Sequence, residues 1–63
     1  MSNQIEWIDR RHQLPPDGVT VETKIDDAKG CRNVHPLKRR GNLWFFDDES
    51  MYVYYVPTHW RPL

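Results

Sequence analysis

The sequence predicts a small all-β domain, on three observations. Residues Val19–Ile25 alternate apolar or β-branched with polar side chains, as in a strand with one buried and one solvated face. Short apolar runs recur at residues 43–46 and 51–56, with turn residues between them. No stretch has a helical period long enough to indicate a helix. We therefore expect one domain over residues 1–63 with about four strands, forming a small antiparallel sheet or a partly closed barrel.

The length and charge of the chain restrict its class. A domain of 63 residues buries only about 60% of the surface that its unfolded chain exposes. Nine basic and nine acidic side chains cancel, which argues against a dedicated duplex-DNA binder, because such proteins use excess Lys and Arg to neutralise phosphates. Cys31 is the only cysteine, and no run has the length of a signal peptide or a membrane span. We expect a soluble protein of the host-cell cytoplasm with no membrane contact.

The first half of the chain contains one firm turn and one clear strand. Residues 5–8 indicate a short strand or an extended docking segment. The run Leu14-Pro-Pro-Asp-Gly18 predicts a turn, because its prolines fix φ and Gly18 accepts a positive φ. The strand Val19–Ile25 follows, and residues 26–30 form a hairpin loop that ends at a glycine. Residues 31–37 are expected to form an edge strand or one that ends early, because Pro36 has no N–H for a strand ladder.

The second half predicts two further strands. Residues 38–42 join a basic run to a Gly-Asn turn, and Leu43–Phe46 is a short strand. After an acidic turn at residues 47–50, Met51–Val56 is expected to be a buried strand on which the whole core depends. A helix is allowed only as a single turn, at 26–29 or at 47–51. The predicted core residues are Val21, Ile25, Val53 and Tyr55.

Three motifs at the two ends of the chain carry a resemblance. They are Trp7-Ile8, the turn Leu14-Pro-Pro-Asp-Gly18 and the closing Thr58-His-Trp-Arg-Pro-Leu63. In these the chain is similar to a family of small domains of unknown function common in phages and prophages of enteric bacteria. The segment from residue 26 to 48 carries no motif that aligns, and the strand after Gly18 is more polar than is usual in such domains. The resemblance implies a small accessory protein of a phage or mobile element, and it implies no catalytic residues.

Basic residues beside aromatic residues form the candidate binding site. Single-stranded nucleic acid is bound by basic groups interleaved with aromatic faces. The alternative is a solvated turn beside core aromatics, which the neutral net charge favours. Trp7 and Trp60 are expected in the core, which leaves Trp44 as the first choice for an exposed interface anchor. The candidate binding residues are Lys38, Arg39, Arg40, Trp44, Tyr52 and Tyr54.

Potential metal ligands are present but do not have the spacing of a known site. His12, His35, His59 and Cys31 match no ligand pattern of structural zinc, and we expect neither a metal nor a cofactor. His59 is expected to pack and hydrogen-bond between Thr58 and Trp60, and Cys31 to be a buried or half-buried inert thiol. The acidic run at residues 47–49 is expected to be a solvated turn, because three consecutive carboxylates do not surround a cation.

These features do not identify a biochemical activity, but they rank the possible functions. The leading hypothesis is a non-catalytic binding module of phage type that modulates or inhibits a host protein, such as a defence protein. So short a chain has little room for a preorganised catalytic site but room for one interface. The alternative is a protein that binds single-stranded nucleic acid or a nucleotide through Lys38, Arg39 and Arg40. A host or phage protein is the expected partner, and a homodimer is expected slightly more than a monomer, because edge strands and surplus aromatics favour pairing.

Overall fold

A six-stranded antiparallel sheet forms the described part of the chain, which is residues 6–63 of a computed structural model. The sheet order is β1-β6-β2-β3-β4-β5, and the sheet is open. No helix occurs within residues 6–63. The prediction of a small all-β domain is confirmed, with six strands where about four were expected. The strands are β1 (Ile8–Asp9), β2 (Thr20–Asp27), β3 (Gly30–Arg40), β4 (Leu43–Phe46), β5 (Tyr52–Val53) and β6 (His59–Pro62).

The hairpin of β2 and β3 is the centre of the sheet. The predicted alternation in β2 is confirmed, since Val21, Thr23 and Ile25 are buried and their neighbours are not. Val19, expected on the same face, precedes the strand and is half exposed. A two-residue turn closes the hairpin where Asp27 pairs with Gly30, whose φ of 108° suits only glycine. The hairpin was therefore predicted at the right place, but its loop is shorter than the predicted residues 26–30, because Asp26, Asp27 and Gly30 belong to the paired strands.

β3 is the longest strand, contrary to the expectation that Pro36 would shorten it. Pro36 pairs with Glu22 of β2, while β4 pairs only with residues Leu37–Arg40. The first half of β3 thus has a neighbour on one side only within the described chain, so Pro36 lies at an edge, as predicted, without ending the strand. A bulge on β3 opposite Lys24 places Asn33 at φ 56°, in the left-handed region that asparagine tolerates.

The basic run belongs to β3 and not to the turn that follows it. Lys38, Arg39 and Arg40 pair with Phe45, Trp44 and Leu43 of β4, and Gly41-Asn42 alone forms the turn. Gly41 has φ 61°, which explains the glycine at this position. The interpretation of residues 38–42 as a basic turn is wrong, because the strand pairing extends three residues further than the local pattern shows.

The strand predicted over Met51–Val56 is also wrong in extent and in burial. Only Tyr52 and Val53 pair, as the edge strand β5, and Met51, Tyr54 and Val56 are exposed. The chain instead forms β6 after Pro57, which inserts between β1 and β2. Trp60 of β6 lies opposite both Ile8 and Thr23, so this four-residue strand holds the sheet together where the aromatic run was expected to do so.

One face of the sheet is covered by loops, and the core lies there. The buried apolar side chains at its centre are Val21, Leu37, Trp44 and Trp60. Of the predicted core, Val21 and Ile25 are buried, whereas Val53 and Tyr55 are only partly buried. The turn at residues 14–18 is confirmed and packs over this face, with Pro15 fully buried and Gly18 at φ 78°.

Two side chains tie the loop at residues 10–18 to the sheet. The Trp60 indole Nε1 donates to the Gln13 carbonyl oxygen at 2.8 Å. Arg39 donates through Nε and Nη2 to the Pro15 carbonyl oxygen at 3.3 and 2.8 Å. These hydrogen bonds satisfy backbone carbonyl oxygens that lie outside the strand ladders. They therefore stabilise the loop in the position where it covers the core.

Two remaining expectations concern the start of the chain and the membrane. The segment predicted at residues 5–8 is described from Glu6 onward, with β1 beginning at Ile8, and Ile5 lies outside the described residues. Within residues 6–63, the chain forms no helix of the length and apolarity that crossing a membrane requires.

Candidate functional site

The uncovered face of the sheet is the candidate functional site, and we call it the open face. Side chains alternate along a strand, so the neighbours of the buried residues project from the opposite side. None of the described residues on that side is buried. The pairing gives one row that crosses four strands, from Thr20 through Lys38 and Phe45 to Tyr52. The open face includes Trp7, Asp9, Thr20, Glu22, Lys24, Asp26, Pro36, Lys38, Arg40, Leu43, Phe45, Tyr52, His59 and Arg61.

The predicted basic run is divided between the two faces. Lys38 and Arg40 project from the open face, whereas Arg39 projects toward the core side and binds the Pro15 and Gly41 carbonyl oxygens. Successive side chains of a strand project from opposite faces of the sheet, so the three basic residues do not form one patch. Register along β3 therefore decides which of the predicted basic residues share a surface.

Glu49 neutralises the two basic residues of β3 that reach the open face. Its carboxylate accepts from Arg40 at 3.1 Å through both oxygens, and it lies 3.0 Å from Lys38 Nζ. The hydrogen bonds from Arg40 and then Lys38 hold the pKa of Glu49 below its ordinary value. Glu49 itself has φ 60°, an uncommon conformation for a residue with a side chain. The turn before β5 thus places the Glu49 carboxylate in contact with both Lys38 and Arg40.

The other carboxylates of the acidic turn have separate partners. Asp47 accepts from the Thr20 hydroxyl at 2.5 Å, and Asp48 accepts from the Ser50 N–H at 2.9 Å, which lowers the pKa of Asp48. Asp47, Asp48 and Glu49 therefore have different partners and do not converge on one point, in line with the solvated turn expected from the sequence.

The exposed aromatic residues are not the ones ranked first from the sequence. Trp44 is only 3% exposed, because it lies opposite Arg39 and Val53 on the covered face, so its role as an exposed anchor is wrong. Tyr52 is half exposed and Tyr54 is 90% exposed. Phe45, Tyr52 and Tyr54 form a chain of edge-to-face contacts with ring centroids 5.8 and 5.4 Å apart. Together these three rings form an aromatic border along β5.

Trp7 is the functional candidate that sequence reasoning missed. It was assigned to the core, but it is only partly buried, and its ring lies under two cations of the open face. Lys24 Nζ is 4.5 Å and Arg61 Cζ 4.2 Å from the ring centroid. Arg61 also pairs with Glu22 at 2.6 Å, and Lys24 with Asp26 at 3.1 Å. Alternation from Ile8, which pairs with buried Trp60, is the signal that would have placed Trp7 on this face.

The potential metal ligands and nucleophile are dispersed. Within residues 6–63, no three His, Cys, Asp or Glu side chains converge as a metal site. His59 Nδ1 lies 2.7 Å from the Thr58 hydroxyl, which confirms its expected hydrogen bonding, and His35 contacts the Phe46 ring edge-on. Cys31 is exposed beside the hairpin turn, so the expectation of a buried thiol is wrong. It precedes the bulge, where β3 lies along only one neighbour.

Comparison of the chain with protein-family models, with curated proteins and with solved structures found no match. The resemblance to small phage domains therefore stays a prediction carried by the motifs at the two ends of the chain. The open face and its charges define the candidate site on geometry alone.

Proposed function

We propose that this chain is a non-catalytic binding module that recognises a protein partner through the open face. The observation that carries the proposal is an uncovered sheet surface where Trp7, Phe45 and Tyr52 are accessible between cations already paired with acidic neighbours. Aromatic residues and arginine supply most of the binding energy in protein interfaces, and charges paired in advance lower the cost of desolvation on docking.

Charge pairing supports a protein partner over nucleic acid. A phosphate that contacted Lys38 or Arg40 would have to displace the Glu49 carboxylate, which lies 3.0 and 3.1 Å from them. Nucleic-acid affinity comes largely from the counterions that leave the phosphates when Lys and Arg side chains neutralise them. Because Lys38 and Arg40 are already paired with Glu49, part of that driving force is lost. A protein surface of mixed charge loses nothing by meeting a face of mixed charge.

The proposed biological setting rests on the motif resemblance alone. In that setting the module belongs to a phage or mobile element and modulates or inhibits a host protein, such as a defence protein, in the cytoplasm of an enteric bacterium. Inhibition needs only an interface that blocks a surface of the target, and a face of this kind provides one without a catalytic group.

The test is affinity capture from an enteric bacterial lysate with the tagged chain and two double variants. Tyr52→Ala with Tyr54→Ala removes the accessible rings of the aromatic border. Leu14→Ala with Val56→Ala removes two similarly exposed apolar side chains on the covered side of the sheet. A host protein should be captured by the wild type and by the control, and lost with the tyrosine variant. Capture that survives the tyrosine change but not the control change contradicts the proposal.

Single-stranded nucleic acid remains a second candidate, because one observation favours it. Lys24, Lys38, Arg40 and Arg61 alternate on one face with accessible aromatic rings, as in platforms on which bases stack. If this function is correct, a fluorescent oligonucleotide binds at physiological salt with an affinity that falls steeply as salt is added.

The structure gives a matched pair of variants for that measurement. Lys38→Gln with Arg40→Gln removes the two open-face cations of β3 and leaves Arg39, which holds the Pro15 loop. Arg11→Gln with Arg32→Gln removes two exposed cations that pair with Asp9 and Asp27. Only the first pair should abolish oligonucleotide binding if the open face binds nucleic acid. Equal losses would indicate non-specific attraction.

A further inference from the structure

A groove on the loop-covered side of the sheet combines arginines with apolar walls. Its volume is about 290 Å³, and Arg10, Leu14, Arg39, Trp44 and Val56 line it. The groove lies where the loop at residues 10–18 crosses β3 and β4, so it is separate from the open face. Leu14 and Val56 are half exposed, whereas Trp44 is buried beneath the surface. The groove therefore has an apolar floor and walls that a ligand can reach.

Arg10 has no acidic partner within the described residues. Its Nε is shielded from solvent and makes no hydrogen bond, which is the single case of this kind among the buried side-chain nitrogen and oxygen atoms of residues 6–63. A buried N–H without a hydrogen-bond partner is unfavourable, so a ligand that accepts a hydrogen bond from this guanidinium would stabilise the folded chain.

The acidic residues nearest to Arg10 are already engaged. Arg10 also lines a second groove with Asp9, Asp26 and Asp27. However, Asp9 bonds to Arg11 at 3.0 Å, Asp27 to Arg32 at 2.9 Å and Asp26 to Lys24 at 3.1 Å. A negative charge that pairs with Arg10 is therefore more favourable on the side that lacks these carboxylates, which is the groove beside Trp44.

Arg39 adds a second, fixed guanidinium to this groove. Three of its five N–H groups donate to the carbonyl oxygens of Pro15 and Gly41. The other two N–H groups make no hydrogen bond to a carbonyl oxygen of the loop or the turn. Asp17 Oδ1 lies 3.6 Å from Nη1, which is beyond hydrogen-bonding distance, and Asp17 is itself half exposed. The fork of Arg39 is thus held in position by the loop and still has donors to offer.

We propose that this groove binds a carboxylate carried on a short apolar group. Planar guanidinium forks match the two oxygens of a carboxylate, and the apolar walls suit an aliphatic or aromatic stem. The volume lies at the lower limit of ligand pockets, which restricts the occupant to one small group. The proposal stands independently of the open face and of any partner bound there.

Three probes of related shape test the ligand class by NMR titration of the isotope-labelled chain. Phenylacetate has both features, phenylacetamide has the ring without the charge, and acetate has the charge without the ring. Phenylacetate should bind in the millimolar range, as expected for so small a ligand, and shift the resonances of the Trp44 indole and of Arg10. The other two probes should bind about tenfold more weakly or not at all. Equal binding of phenylacetamide would overturn the proposal.

Two variants locate the binding. Arg10→Gln should lower the affinity for phenylacetate by about tenfold or more, because a hydrogen bond between two charged groups is lost. Lys29→Gln, which changes an exposed cation of the turn between β2 and β3 that lines neither groove, should leave binding unchanged. Leu14→Glu places a carboxylate on an exposed wall of the groove. This carboxylate should form ion pairs with Arg10 and Arg39 and so prevent phenylacetate from binding. This variant decides the question if Arg10→Gln fails to fold, since unchanged binding in folded Leu14→Glu would also overturn the proposal.

Discussion

Truncation of Leu37 tests whether the sheet is held together where β2, β3 and β4 meet. Leu37 is 0% exposed and lies opposite Val21 on one side and Phe46 on the other. A buried Leu→Ala change costs about 2–5 kcal/mol, from lost burial and from the cavity that remains. We expect about 3 kcal/mol here, because the covering loops can relax toward the space. A core of this size supplies only about 3–5 kcal/mol in total, so the variant should retain about 0–2 kcal/mol and unfold at much lower urea concentration than the wild type.

The measurement is urea denaturation followed by tryptophan fluorescence, since Trp44 and Trp60 are buried and report the folded core. Val34→Ala is the control on the same strand, and because Val34 is half exposed it should change the free energy of unfolding by less than about 0.5 kcal/mol. Val53→Ala, on the partly buried edge strand, should cost about 1 kcal/mol. A Leu37→Ala midpoint within error of the Val34→Ala midpoint would refute the described core.

Three further predictions concern charge, the thiol and assembly. Because Arg40 and Lys38 lower the pKa of Glu49, its stabilising contribution is present above its ordinary pKa of 4.5 and is lost as pH falls through the lower folded value. Acid titration should therefore show a smaller loss of stability below that pH for Glu49→Gln than for the wild type, and parallel curves would contradict the ion pair. Exposed Cys31 should react with a thiol reagent in the native protein as fast as in urea, whereas strong protection in the native state would show that it is covered. The homodimer expected from the sequence stays a prediction that sedimentation at micromolar concentration decides, and a monomeric mass would remove it.

Local signals were sufficient for part of the fold. The alternation in β2, the apolar run of β4 and the glycine-containing turns at Gly18, Gly30 and Gly41 depend on neighbours within a few residues, and all were predicted at the right places. Such features depend on side-chain periodicity and on φ, which are properties of the local chain. They are therefore visible in one sequence.

The errors arose where pairing between distant segments decides the structure. β6 has only four residues, too few for their alternation of polar and apolar side chains to indicate a strand, yet its pairing with both β1 and β2 makes it an interior strand. The aromatic run after Ser50 looked like a core strand, but within residues 6–63 it pairs with β4 alone and only through Tyr52 and Val53, so most of it is exposed. Hydrophobicity alone does not tell which segment gains two neighbours in a sheet.

The candidate site shows the same division. The sequence singled out Lys38, Arg39 and Arg40, but only register separates Arg39 from the other two, and only the turn before β5 brings Glu49 to them. Trp7 and Trp44 exchanged their expected roles for the same reason, because the strand pairing of Ile8 and of Arg39 determines the face from which each tryptophan projects.

Site-specific photocrosslinking tests the central claim most directly, that a protein partner docks on the open face. Benzoylphenylalanine is introduced in separate chains in place of Trp7, Tyr52 or Leu14, and each chain is irradiated in an enteric bacterial lysate. The Trp7 and Tyr52 positions lie on the open face, whereas Leu14 is half exposed on the loop that covers the opposite face. The account predicts that one host protein is crosslinked from both open-face positions and not from position 14. A crosslink from position 14 alone, or crosslinks to nucleic acid from the open face, would contradict it.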